Sequence, residues 1–135
     1  MANEVKKVGI ISCSGEAVSG GTVSRLSCRK VLDDLKPGET VTICLPLFIA
    51  GGEEERKFTA KYPTITVDGC EKLCAAKATE ALSGKPTRSL IIPEILKRRG
   101  VTPPKRLRNF GEEDRKAVQT VAEEIAKTVN EVVKE

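Results

Sequence analysis

The stretch TITVDGCEKLCAAK, residues 64–77, decides the fold prediction, because a strand-like run is followed within it by a helical run. Its first four residues are β-branched and predict a buried strand. Residues 71–82 are predicted to form a helix that follows directly and ends at Ser83 and Gly84. Two cysteines, Cys70 and Cys74, lie at this junction, so the same stretch also carries candidate chemistry.

Strand-like and helical runs alternate along the whole chain. Such alternation predicts an α/β domain with a parallel sheet and right-handed crossovers. We expect a single domain over residues 1–135: a three-layer, Rossmann- or flavodoxin-like open parallel sheet of about four strands, with helices on both faces and a long C-terminal helix. The runs that support this are strands at 7–12, 40–48, 64–67 and 88–92, and helices at 23–38, 53–61, 71–82 and 118–132.

The composition argues against a nucleic-acid partner and a membrane partner. The net charge of +4 in 135 residues is mild, and the four aromatic residues are too few for a base-stacking surface, so a nucleic-acid partner is not expected. The chain has no apolar run of membrane-spanning length, so no membrane partner is expected. The opening MANEVKK has no signal-peptide pattern, and we expect a cytoplasmic location.

Cysteine is the residue type that stands out. The chain has five cysteines and no histidine, so imidazole takes no part in its chemistry. In a reducing cytosol, clustered cysteines indicate metal binding or thiol chemistry rather than structural disulfides.

The predicted strands bring four of these cysteines to one edge. Cys13 directly follows the first strand, Cys44 lies late in the second, Cys70 lies just past the third and Cys74 is one turn further. The carboxyl ends of parallel strands share one edge, where ligands bind, so four thiolates could reach one zinc ion there. Cys28 belongs to the apolar stripe of its own helix and is predicted to be a core residue.

The residues beside the third strand suit thiolates. We expect Cys70 to start a helix, where unpaired backbone N–H groups favour a negatively charged thiolate. Cys74 follows four residues later, so the two thiols are expected to share one helix face. Gly69 is expected to allow the turn. Asp68 could accept a hydrogen bond near the metal, cap the helix or simply form the turn.

At these residues the sequence resembles the DGC-domain family, small proteins regarded as zinc binders. The matching pieces, IISCSG (10–15), ICLPLFIAG (43–51) and VDGCEKLCAAK (67–77), lie in roughly the first eighty-five residues, and residues 86–135 are interpreted as a C-terminal extension. The resemblance implies metal-ligand roles for the matching cysteines and no particular reaction. Those cysteines are Cys13, Cys44, Cys70 and Cys74.

The glycine-rich segment after the first strand invites a nucleotide-binding interpretation. Gly15, Gly20 and Thr22 fit the phosphate-loop pattern, but Gly21 stands where the lysine should be. We instead expect a flexible loop, beginning at Ser14 and Gly15, whose amides solvate thiolates. Further along this loop, the backbone amides of Gly20, Gly21 and Thr22 could bind a small anion at the start of the following helix.

Other thiol motifs are incomplete. The first arginine after Cys13 is Arg25, too far along the chain for the loop of a cysteine phosphatase. CEKLCAAK has Lys77 where an iron–sulfur motif has its third cysteine, although a cluster held by scattered cysteines stays an alternative to zinc.

These observations favour a zinc-binding protein, non-enzymatic or of unknown activity. The alternative is a thiol-dependent redox or sulfur-transfer enzyme that uses Cys70 and Cys74, although one residue more than the usual redox spacing separates them. The basic segment 97–108 is expected to be solvated surface, with docking to an unknown protein partner as a further alternative.

Overall fold

The computed structural model describes residues 6–135. Met1 to Val5, which belong to the MANEVKK segment used to predict the location, lie outside the described residues. Four parallel strands form one sheet in the order β2-β1-β3-β4, which confirms the predicted α/β class. The first strand therefore lies between the second and the third. The strands are β1 (Val8–Ser12), β2 (Thr40–Thr42), β3 (Thr64–Asp68) and β4 (Arg88–Ile91).

Seven α-helices are present in the described part of the chain. The first continues into a π-helical turn, Val31–Leu35, and the last is the predicted long C-terminal helix. No helix within residues 6–135 is long and apolar enough to cross a bilayer. The helices are α1 (Ser19–Lys30), α2 (Leu47–Ala50), α3 (Glu53–Arg56), α4 (Phe58–Lys61), α5 (Cys74–Leu82), α6 (Ile92–Arg99) and α7 (Glu112–Val133).

The two faces of the sheet are covered differently. One face packs against α1, α6 and α7 through a large aliphatic core that includes Val8, Ile10 and Ile125. The other face carries a smaller core that contains Phe48 and Phe58, from the short helices. Strand residues point alternately to the two faces, so β1 contributes to both cores. Helices on both faces give the expected three layers.

Three elements have bounds that differ from those predicted. β2 stops at Thr42 because the chain turns there, and the Leu47 N–H donates to the Cys44 carbonyl. The helix expected at 53–61 divides at Lys57, whose ψ of 2° is not helical. The helix expected from residue 71 begins at Cys74, because the Asp68 carboxylate accepts the Ala75 and Ala76 N–H groups.

Candidate thiol site at the strand ends

Cys13 connects the loops that follow β1 and β3. Its N–H donates to the Val67 carbonyl at 3.0 Å, which extends the pairing of the two strands by one residue. Its half-buried Sγ accepts the Gly69 N–H at 3.3 Å. The residue after Gly69 is Cys70, so this bond holds the loop that carries Cys70 against Cys13.

A buried serine supports the Cys13 loop. Ser24 on α1 is fully buried, and its Oγ lies 3.4 Å from the Cys13 Sγ. The same oxygen accepts the Ser14 N–H at 3.0 Å and donates to the Gly21 carbonyl at 2.7 Å. Ser14 has a left-handed φ of 49°, and its hydrogen bond to Ser24 holds this conformation. Ser14, expected beside the ligands, therefore has a definite supporting role.

Glycines allow the loops to touch through their backbones. A Cβ on Gly69 would overlap the backbone of Gly20, and a Cβ on Gly21 would overlap the Gly15 carbonyl. The chain bends at Gly69, as expected, but this residue does not have a positive φ, so glycine is not needed there for a left-handed conformation. Its requirement is steric: only a hydrogen fits between β3 and the start of α1.

Asp68 caps α5 from a distance. Its Oδ1 accepts the Ala75 N–H at 2.7 Å and its Oδ2 accepts the Ala76 N–H at 3.1 Å. These amides belong to the first turn of α5 and would otherwise be unpaired. Burial raises the pKa of the Asp68 carboxyl, and the two N–H donors oppose this rise. Of the three roles considered for Asp68, capping is the one observed.

The cap explains why Cys70 does not start a helix. Asp68 binds the amides of Ala75 and Ala76, so the intervening residues form a loop, and Leu73 adopts a left-handed φ of 56° before α5 begins. Cys70 lies half-buried in that loop, and Cys74 is the exposed first residue of α5. The expectation that the two thiols share one helix face is therefore wrong.

Cys44 follows β2 in an exposed turn rather than lying inside the strand. It lines a cavity of about 450 Å³ together with Cys13 and the buried Cys28. Cys28 is a core residue, as predicted, and burial raises the pKa of its thiol, with a further increase from the nearby charge of Cys13.

The four thiols follow the carboxyl ends of β1, β2 and β3, three in loops and Cys74 at the start of α5, but they do not form a preassembled cage. Within residues 6–135, no three cysteine, aspartate or glutamate side chains are grouped so that they could hold one ion. Cys13 is linked to the Cys70 loop by a hydrogen bond and to Cys44 by a shared cavity. Thiolates are suitable ligands for zinc, but the structure brings the cysteines near each other only in pairs, Cys13 with the Cys70 loop and Cys13 with Cys44.

The expected anion loop is partly helical. Gly20, Gly21 and Thr22 belong to the first turns of α1, which begins at Ser19. The two glycines pack against other backbone, and the Thr22 Oγ1 donates to the Leu107 carbonyl at 2.6 Å. These residues hold the start of α1 in place.

Sequence reasoning did not find the position of Arg25. Its side chain lines the same cavity as Cys13, one helical turn before Cys28 and Arg29. The spacing of Arg25, Cys28, Arg29 and Leu32 (i, i+3, i+4, i+7) marks one helix face and could have indicated it.

The basic segment is partly neutralised by α7. Arg99 pairs with Glu124 at 3.0 Å and with Glu123 at 3.2 Å, and Arg98 lies 3.4 Å from Glu124. Lys97 and the basic residues beyond 104 are exposed. Their role stays a prediction.

The DGC domain model matches residues 9–132, nearly the whole chain. The match runs well beyond the first eighty-five residues, which carry the recognisable motifs. No curated protein and no solved structure shows a significant match.

Proposed function

We propose that this chain, which belongs to the DGC-domain family, is a zinc-binding protein whose ligands are Cys13, Cys44, Cys70 and Cys74. The observation that carries the proposal is the 3.3 Å hydrogen bond from the Gly69 N–H to the Cys13 Sγ. It holds the loops of two ligands together, with sulfur as the acceptor. An N–H donor to a ligand sulfur is the kind of outer contact that orients and stabilises metal thiolates.

The other thiols are free to approach Cys13. Cys44 and Cys74 are exposed, and Cys70 lies in a loop rather than in a helix. We therefore expect metal binding to draw these loops toward Cys13, which stands between them in the order of the strands. Four thiolates around zinc form a closed, structural type of site, so the ion would brace the sheet edge.

Elemental analysis of protein purified without added metal tests the proposal. We expect one zinc per chain, with strong loss of zinc in each Cys→Ser variant at positions 13, 44, 70 and 74. The matched control is Cys28→Ala, which changes a core thiol and should keep its zinc. Protein that is folded but holds almost no metal, or zinc loss confined to the Cys28 variant, would contradict the proposal.

A second candidate function is thiol-dependent redox or sulfur-transfer chemistry through Cys70 and Cys74. The observation that favours it is the separation of the thiols, since no three potential ligands are grouped within residues 6–135. Alkylation with and without a chelator separates the two functions. Thiols that react only after chelation are metal ligands, whereas one hyper-reactive thiol that carries a persulfide in metal-free protein indicates the enzyme.

A further inference from the structure

The cavity between α1 and the segment after β2 is built like a site for a small molecule. Its volume of about 450 Å³ lies within the roughly 300–1,000 Å³ typical of ligand clefts. It opens at the carboxyl ends of β1 and β2, the edge at which open parallel sheets bind ligands. Its position therefore makes it a candidate binding site.

The cavity has distinct polar and apolar sides. The end of β1 and the loop after it supply Ser12, Cys13 and Ser14, and the two serine hydroxyls are hydrogen-bonded to each other at 2.5 Å. Leu32 and the residues after β2, including Ile43 and Leu45, supply apolar walls. Polar groups that converge beside an apolar wall fix the orientation of a small amphipathic ligand.

The charge lining the cavity is positive. Arg25 and Arg29 both line it, and no carboxylate does. Arg29 is already paired with Asp33, whose Oδ2 accepts the Arg29 Nε–H at 3.1 Å. Arg25 makes no ion pair or side-chain hydrogen bond with any residue in 6–135. One guanidinium is therefore available at the cavity for an anion.

We propose that this cavity binds a small organic monoanion, a short-chain carboxylate, with its charged group on Arg25 and its body beside Cys13 and the apolar wall. The proposal goes beyond zinc binding, because it concerns the metal-free protein, in which Cys13 and Cys44, two of the proposed zinc ligands, line the open cavity. It also gives Arg25 a role that its distance from Cys13 along the chain conceals.

Competing alkylation of the thiols tests the proposal. Iodoacetate carries a carboxylate and iodoacetamide is its neutral counterpart, and mass spectrometry reads the modification rate at each cysteine. The exposed Cys74 lies outside the cavity and serves as the internal control. We expect the preference for iodoacetate at Cys13 to exceed that at Cys74 by about tenfold, with a rate that saturates with reagent concentration.

Variants of the two arginines identify the cause. Arg25→Gln should abolish the preference, and Arg25→Lys should retain part of it because the charge remains. The double variant Arg29→Gln/Asp33→Asn is the matched control and should change the preference by less than about twofold, because it removes a balanced ion pair and leaves the net charge beside the cavity unchanged. Arg25 is exposed, so the Arg25→Gln protein should fold, and thermal unfolding checks this.

Butyrate and its neutral amide complete the test. Butyrate should protect Cys13 from iodoacetate, whereas butyramide should not. The measurement is made on chelated, metal-free protein, because thiols that hold zinc would not react, and its outcome therefore does not depend on the zinc content. Equal preferences at Cys13 and Cys74, a preference that survives Arg25→Gln, or protection by butyramide equal to that by butyrate would overturn the proposal.

Discussion

The core under α7 and the strand-end edge are held together in different ways. Under α7, large aliphatic side chains fill the space between helix and sheet, and Val121, Ile125 and Val129 are fully buried. At the strand ends, backbone approaches backbone at Gly20 and Gly69, and hydrogen bonds to Asp68 and Cys13 complete the contact. The first region is stabilised by buried apolar area and the second by close steric fit.

Because of this difference, substitutions under α7 and substitutions at the strand-end edge should affect different properties, the free energy of unfolding in the first case and the arrangement of the thiols in the second. Loss of apolar volume under α7 should lower the free energy of unfolding and leave the arrangement of thiols intact. A small enlargement at the edge should disturb that arrangement even where the protein stays folded. Variants in the two regions can therefore be compared through two readouts, unfolding and zinc content.

The largest effect on stability is expected from Ile125→Ala. The variant removes a fully buried side chain from α7 and should lower the free energy of unfolding by about 3–4 kcal/mol. Urea unfolding measures this, with Val133→Ala, a partly exposed position on the same helix, as the control. Zinc per folded chain should not change. A loss of zinc without a loss of stability would break the comparison.

Gly69→Ala should lower stability less than Ile125→Ala but should strongly reduce the zinc content. The added methyl group would overlap the Gly20 backbone, so the two loops must separate, at a cost of about 2 kcal/mol and with loss of most bound zinc. Gly52→Ala is the control, since its added Cβ meets nothing and its φ of −112° suits alanine. A Gly69→Ala protein with wild-type zinc content would show that the backbone contact does not position the thiols.

A smaller effect is expected at the cap of α5. Asp68→Ala leaves two amides unpaired and should cost about 1–2 kcal/mol. Asp68→Asn should cost less, because it keeps one acceptor and removes a buried charge. Glu71→Gln removes a charge from the same loop at an exposed position and is the control. Equal losses in the alanine and asparagine variants would argue against capping.

The smallest effect is a pH dependence. Burial raises the folded-state pKa of Asp68 above its ordinary value of 3.8, so the folded state binds this proton more tightly than the unfolded state. The resulting stabilisation is present below pH 3.8 and is lost as pH rises through the raised pKa. Urea unfolding of wild type and Asp68→Asn, from about pH 3 to about pH 6, should show the stability of wild type falling relative to that of the variant as pH rises, because the other carboxyl groups titrate in both proteins. A wild-type advantage that grows with pH would contradict it.

The sequence predicted the features that depend on local pattern. The buried runs at β1 and β3, the periodicity of α7 and the core position of Cys28 are visible in the spacing of apolar residues. Parallel pairing then places residues that follow β1 and β3 at the same edge.

Features that depend on the meeting of distant segments were missed. The reach of Asp68 to Ala75 and Ala76, which delays the start of α5 to Cys74, is a side-chain contact across a loop and leaves no periodic signal. The contact of Gly69 with Gly20 exists only after β3 has paired with β1. Helix propensity and apolar spacing contain no information on either contact.

X-ray absorption at the zinc edge tests most directly whether the strand-end edge gathers four thiols around one ion. Zinc-loaded protein should show about four sulfur neighbours at about 2.3 Å and no nitrogen shell. Cys28→Ala should give the same spectrum, and Cys44→Ser should replace one sulfur with a lighter atom or lose the metal. A first shell dominated by oxygen or nitrogen in the wild-type protein would contradict the four-cysteine site.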